Sequence, residues 1–162
     1  MFDPVRICEV LNEEGVRYII VGGIATVMHG SSLPTQDIDL VPDRSDGNLE
    51  CLVRALARLN VQIRTGDEPL KATIDEQFLR NSTFMLNLVS DFGDIDLAFQ
   101  PSGPLLGYEG WKQDAIELSI AEGVTVWVAA LNDVVDSKRA ANRPKDQAAL
   151  PYLESLRDQL SD

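Results

Sequence analysis

The segment TQDIDLV, residues 35–41, sets Asp37 and Asp39 two positions apart in a run that otherwise reads as a strand. Side chains at i and i+2 of a strand project from one face, so the two carboxylates share a side. Like charges held that close repel, and each is pushed toward protonation unless a cation lies between them. Magnesium, which takes hard oxygen ligands and usually keeps substrate phosphates among them, supplies such a charge. The same DIDL tetrapeptide returns at 94–97, where Asp94 and Asp96 repeat the spacing, and a neighbouring strand could bring one of them to the first pair. Three carboxylates around two ions fit phosphoryl or nucleotidyl transfer, in which one ion activates the attacking hydroxyl and the other holds the triphosphate. A carboxylate could also serve as general base.

Upstream, GGIATVMHG at 22–30 opens with two adjacent glycines between a short apolar run and a short helical one. Backbone amides without side-chain cover can approach phosphate oxygens there, and a helix N-terminus adds a favourable field. Neither the Lys-Ser or Lys-Thr pair of a Walker loop nor the G-x-G-x-x-G spacing of a dinucleotide turn is present. Thr35 offers a hydroxyl to a phosphate just before the carboxylates. Taken alone, a double glycine is most often turn punctuation, and a lone D-x-D is common on solvated edge strands. Ile38, Leu40 and Val41 make this run internal, however, where an unpartnered acid is costly.

Periodicity traces the elements that must carry these residues. Residues 4–15 read as a helix, with Pro4 at its first position after Asp3, with Val5, Cys8 and Leu11 on one face, and with Gly15 as its stop. VRYIIVG (16–22) reads as a buried strand and 24–30 as a short helix closed by Gly30. After the turn-forming SSLPT comes the D-x-D strand, then a helix starting near Asn48 with Leu49, Leu52, Val53, Leu56 and Leu59 inward, then a short strand, VQIRT. Residues 66–81 are polar and weakly patterned, which suits a mobile loop with one or two helical turns. FMLNLV and DIDLAF, divided at SDFG, suit an antiparallel hairpin or a tightly connected pair, PSGPLLGYEGW is a loop or an irregular excursion, and KQDAIELSI with GVTVWVA forms two strands or a helix–strand mixture. A helix follows from Leu131 with Asn132 as its candidate cap. Another starts at Pro144, where leucines at 150, 153, 156 and 160 keep helical spacing and Pro151 should kink or restart it. Together these elements predict an α/β (α+β) chain forming one domain over 1–162, with a mostly antiparallel or mixed sheet and a short C-terminal helical tail.

Bulk properties narrow the function classes. The 162 residues carry 26 Asp and Glu against 14 Lys and Arg, a formal charge of −12, which disfavours a long nucleic-acid duplex or an anionic membrane as partner. The N-terminal segment has no basic leader, and no stretch approaches the ~20 apolar residues of a membrane span, so a cytoplasmic protein is expected. Cys8 and Cys51 could form one disulfide, although a reduced pair is the more economical reading. His29, the single histidine, reads as a packing or hydrogen-bonding residue rather than a catalyst, and no zinc ligand set exists. Trp127, within VTVWVAA, reads as core, and Trp111, in a Gly-rich loop, is the better candidate to stack a base.

The order of strand, GG, short helix and T-x-D-I-D-L, followed by FGDIDLAF and KRAANRPKD, resembles the nucleotidyltransferase superfamily that includes DNA polymerase beta and the aminoglycoside nucleotidyltransferases. It is most similar to the small stand-alone bacterial nucleotidyltransferases related to AbiEii-type toxins and to the minimal nucleotidyltransferase antitoxins, from Tyr18 to about Leu156. The resemblance implies a polymerase-beta-like nucleotidyltransferase fold. It also implies that Asp37, Asp39 and Asp96, with Asp94 as the fallback third carboxylate, hold two Mg2+ ions and act in catalysis. Gly22 and Gly23 would match the phosphate-binding turn, where many relatives have Gly-Ser, and Thr35 would stand in for the missing hydroxyl. Lys138 would match the lysine that meets the triphosphate, with Arg143, Lys145 and Asp146 completing that motif; an ion pair between Lys138 and an aspartate is the competing reading.

The implied reaction moves a nucleoside monophosphate from a nucleoside triphosphate, such as ATP, to an acceptor hydroxyl on a protein, an RNA end or a small molecule, releasing pyrophosphate. The competing class is a toxin–antitoxin or regulatory protein that keeps the nucleotide-binding fold and acts by binding a partner, such as a cognate toxin or antitoxin. Gly23 in place of serine favours that class, and retention of every candidate carboxylate opposes it.

Overall fold

The Asp3 carboxylate accepts a hydrogen bond from the Arg6 amide at 3.0 Å, and Pro4 fills the first position, so α1 (Pro4–Glu13) starts where side chain and ring both favour it. In this computed structural model, which describes residues 1–161, the chain then enters β1 (Tyr18–Val21), whose four residues are all buried. After β1 come α2 (Gly22–Met28), β2 (Asp37–Pro42), α3 (Asp46–Arg58), β3 (Gln62–Ile63) and α4 (Glu76–Asn81). The chain continues through β4 (Met85–Ser90), β5 (Gly93–Ala98), α5 (Gly107–Lys112), β6 (Ile116–Ala121), β7 (Val124–Val128), α6 (Leu131–Ala141) and α7 (Pro144–Leu160).

The strands form one mixed seven-stranded sheet in the order β3-β4-β5-β2-β1-β7-β6. The expected hairpin is present, β4 antiparallel to β5, and β6 with β7 makes a second, so the 112–130 region consists of two strands. The pairing that matters for the site is parallel: β2 lies beside β5 with Asp37 opposite Asp94 and Asp39 opposite Asp96. Parity then sends Ile38, Leu40, Ile95 and Leu97 into the core, where each is at most 1% exposed. Helix α1 packs on β7 and α3, while α5 packs on β1 and β2.

Several local expectations are corrected. Helix α2 begins at Gly22 itself, so the glycines form its first turn rather than precede it. Helix α3 begins at Asp46, and Asn48 lies fully buried within it. Its side-chain oxygen accepts from the Arg17 amide and its nitrogen donates to the Arg17 and Asp43 carbonyls, tying the start of β1 to the end of β2. The loop at 101–111 contains α5, and Ala130 rather than Asn132 caps α6. Pro151 does not restart the last helix: α7 runs through it, with the ring on the exposed face where a missing amide is tolerated. The long connection at 66–81 does contain one short helix, α4, capped by Asp75.

Trp111 is 2% exposed and Trp127 is 37% exposed, the reverse of what was expected. Val124, Val126 and Val128 take the buried side of β7, which leaves Trp127 on the other side of the pleat. Cys8 and Cys51 are both free thiols, and burial pushes Cys8 up to about 11, so it stays protonated and inert. Among the described residues, no helix is long and apolar enough to cross a membrane.

Candidate active site

Two adjacent parallel strands bring the acidic residues together. One carboxylate oxygen from each of Asp37, Asp39 and Asp96 lies within 4.8 Å of the others, a spacing that a shared cation can span. Asp94 sits beside Asp37 on the same face but is not part of this trio, so the third carboxylate the structure brings to the pair is Asp96. Burial, followed by the charges of Asp37 and Asp96, pushes Asp39 up to about 7, with Lys138 pulling the other way. Burial also raises Asp96, against the opposing pull of Arg64. A set of hard oxygen donors that cannot all ionise comfortably without added positive charge fits a divalent ion.

The glycine turn is fitted to this centre. Gly22 has φ +67°, and a Cβ placed on it would lie 1.9 Å from Asp39 Oδ2, so both backbone and space require glycine there. A Cβ on Gly23 would lie 2.8 Å from the Thr35 hydroxyl oxygen. The Thr35 side chain therefore occupies the space in which a serine at position 23 would start. That hydroxyl also donates to the Asp37 carbonyl at 3.3 Å.

A cavity of about 440 Å³ opens over the carboxylates, with Gly22, Gly23 and Thr35 on its wall. Lys138 on α6 and Arg143 and Lys145 at the start of α7 also line it, while Leu33, Trp111 and Leu153 supply apolar wall. The cations are set by one buried acid. Asp146, fully buried, accepts from the Arg143 Nε at 2.7 Å and from the Arg143 backbone amide at 3.1 Å, and its Oδ1 lies 3.7 Å from Lys138 Nζ. Burial works to raise the Asp146 carboxyl, but the Arg143 hydrogen bonds and charge, aided by Lys138, hold it below the usual range. Lys138 thus lies near an aspartate, as the ion-pair reading expects, and also lines the cavity.

Sequence reasoning missed two features. Trp111 forms part of the cavity wall as a buried side chain rather than an exposed stacking platform, because Gly107 and Gly110 obscured the helix that carries it. Arg64 meets Asp96 Oδ1 at 2.5 Å and Asp94 Oδ2 at 3.4 Å, a contact that no local pattern announces. His29 lies within the expected hydrogen-bonding role, its Nε2 lying 2.8 Å from the Ala129 carbonyl oxygen.

A family described as "Nucleotidyltransferase of unknown function (DUF6036)" matches residues 6–154. The chain belongs to this family. A solved Thermotoga maritima structure, given as a "putative nucleotidyltransferase", superposes with a TM-score of 0.50 at 14% identity, covering 99% of this chain and 96% of that one. That likeness supports the nucleotidyltransferase fold: a mixed sheet with flanking helices and a C-terminal helix. No curated protein matches the sequence. In this member of the nucleotidyltransferase family, the carboxylate trio, the glycine turn and the basic helix ends all face one cavity.

Proposed function

We propose that the chain is a magnesium-dependent nucleotidyltransferase that moves a nucleoside monophosphate from a nucleoside triphosphate to an acceptor hydroxyl. The observation that carries this reading is that Asp37, Asp39 and Asp96 line one cavity together with Lys138, Arg143 and Lys145. The carboxylates suit metal ions, and the cations suit phosphate oxygens. Asp37, Asp39 and Asp96 would hold two magnesium ions, which supply positive charge to the phosphates and lower the pKa of the attacking hydroxyl when bound.

The chain's own residues do the rest. The Gly22 and Gly23 amides and the Thr35 hydroxyl face the triphosphate, Lys138 and Arg143 balance its charge, and Trp111 with Leu153 limits water on the apolar side. The acceptor oxygen bonds to the alpha phosphorus as its bond to the bridging oxygen breaks; pyrophosphate leaves, and the hydroxyl proton passes to a carboxylate of the centre. Kinship with AbiEii-type toxins and minimal antitoxins belongs to this proposal, as does a protein, RNA-end or small-molecule acceptor, with a cognate toxin or antitoxin among the protein partners.

The test is a thermal titration with ATP, GTP, CTP and UTP, with and without magnesium, on wild type and Asp39→Asn. A magnesium-dependent rise in melting temperature for at least one triphosphate, lost in Asp39→Asn while far-UV circular dichroism is unchanged, is expected. No shift with any triphosphate would leave the partner-binding class as the better account.

A further inference from the structure

Four acidic side chains share the carboxylate face. Parity and register place Asp37, Asp39, Asp94 and Asp96 as a two-by-two array on adjoining parallel strands. Lys138 and Arg143 also line the cavity, and both are engaged by the buried Asp146. Among the described residues, Arg64 is the one cation in direct ionic contact with any of the four carboxylates.

Its position is built rather than incidental. Arg64 follows β3 directly, its amide donates to the Asn87 carbonyl at 3.0 Å, and its side chain reaches past β4 to β5. One guanidinium nitrogen, NH1, donates to the Leu88 carbonyl at 3.1 Å and lies 3.4 Å from Asp94 Oδ2, while the other, NH2, meets Asp96 Oδ1 at 2.5 Å. A planar fork held from three directions has little freedom to wander. Asp96 lines the cavity and Arg64 does not; the arginine reaches Asp96 from the β3–β4 flank of the sheet.

We propose that Arg64 is the resident counter-cation and positioning residue of the carboxylate centre: it occupies Oδ1 of Asp96 and competes with a divalent ion for that carboxylate. This inference rests on the metal-binding reading above. In the ion-free protein Arg64 neutralises part of the array and lets it remain folded. With an ion present, Asp96 offers its second oxygen in a direction that Arg64 has set, and Arg64 weakens the affinity that three free carboxylates would give.

The test measures Mn2+ affinity by electron paramagnetic resonance, without nucleotide, together with melting temperature in EDTA and in saturating Mg2+, for wild type, Arg64→Gln and Arg64→Lys. Loss of a positive charge at the centre is expected to tighten Mn2+ binding about tenfold in Arg64→Gln. Its melting temperature should fall in EDTA, and the deficit should shrink in Mg2+ by linkage. Arg64→Lys, which keeps the charge, should return affinity to within about threefold of wild type. A purely structural clamp between β3 and β5 predicts the same melting deficit in both buffers and unchanged Mn2+ affinity, and either result overturns the proposal. If wild type binds Mn2+ and Arg64→Gln binds it no tighter, the Arg64 inference alone falls. If wild type binds no ion, the metal-dependent reading falls and takes this inference with it.

Discussion

Gly22 carries two constraints at once, a φ of +67° and a Cβ site 1.9 Å from Asp39 Oδ2. Gly22→Ala should therefore cost at least ~2 kcal/mol, from the left-handed backbone and from the displaced carboxylate, and should disturb divalent-ion binding as well. Gly47, with open space around it in the first turn of α3, is the control: Gly47→Ala should be neutral or stabilising by up to ~1 kcal/mol. Urea unfolding of both variants checks the contrast. Asp39 gives a second residue-scale outcome. Burial and its acidic neighbours raise its folded-state pKa from 3.8 to about 7, so the folded protein keeps a proton that the unfolded chain releases. In EDTA, stability should thus fall as pH rises from about 4 to about 7 and then level, the Asp39 contribution being at most ~1.4 kcal/mol per pH unit. Asp39→Asn should lack that component, as urea midpoints across the range would show. The carboxylates were legible in sequence because a period of two needs only the strand itself, whereas Arg64 was not, because its partners depend on which strands lie side by side.

At the scale of elements, α6 and α7 act as a bracket that presents cations to the sheet. Asn142 ends α6 in the left-handed conformation, φ 52°, and the chain turns at once into α7, where the Asp146 carboxylate accepts from both the backbone amide and the guanidinium of Arg143. Leu131, Val135 and Leu153 seal the two helices in their own small cluster. Asp146→Asn should lower stability by ~1–3 kcal/mol, because it removes a charge that is fully buried while its partner Arg143 remains half exposed. On the proposed function, the same variant weakens triphosphate binding and spares the affinity for Mn2+ alone, since the carboxylates sit on the sheet; calorimetry with each probe separates the two. Helical spacing announced α7. The burial of Asp146 beneath Lys138 and Arg143 came from the packing of α6 on α7, which helical period does not encode.

For the whole molecule, a formal charge of −12 means that the folded chain repels itself. Raising NaCl should increase the melting temperature by screening that repulsion, because the surface ion pairs it also weakens contribute little. MgCl2 at matched ionic strength should raise it further, since an ion bound at Asp37, Asp39 and Asp96 adds a specific stabilisation. Equal effects of the two salts would count against the carboxylate centre as an ion site. By itself the sequence determined most strands and helices, most of the inward apolar residues, and the pairing of acids on one strand face, because each follows from spacing along a single element. It also led to the family through GG, DIDL and KRAANRPKD. Only the tertiary structure decided that β5 runs parallel beside β2, which brings Asp96 to the pair, that β3 and β4 set Arg64 against it, and that Trp111 turns inward and Trp127 out. Those outcomes depend on strand order and on which face meets a helix, and they are settled by the burial of the whole chain rather than by the propensity of any one segment.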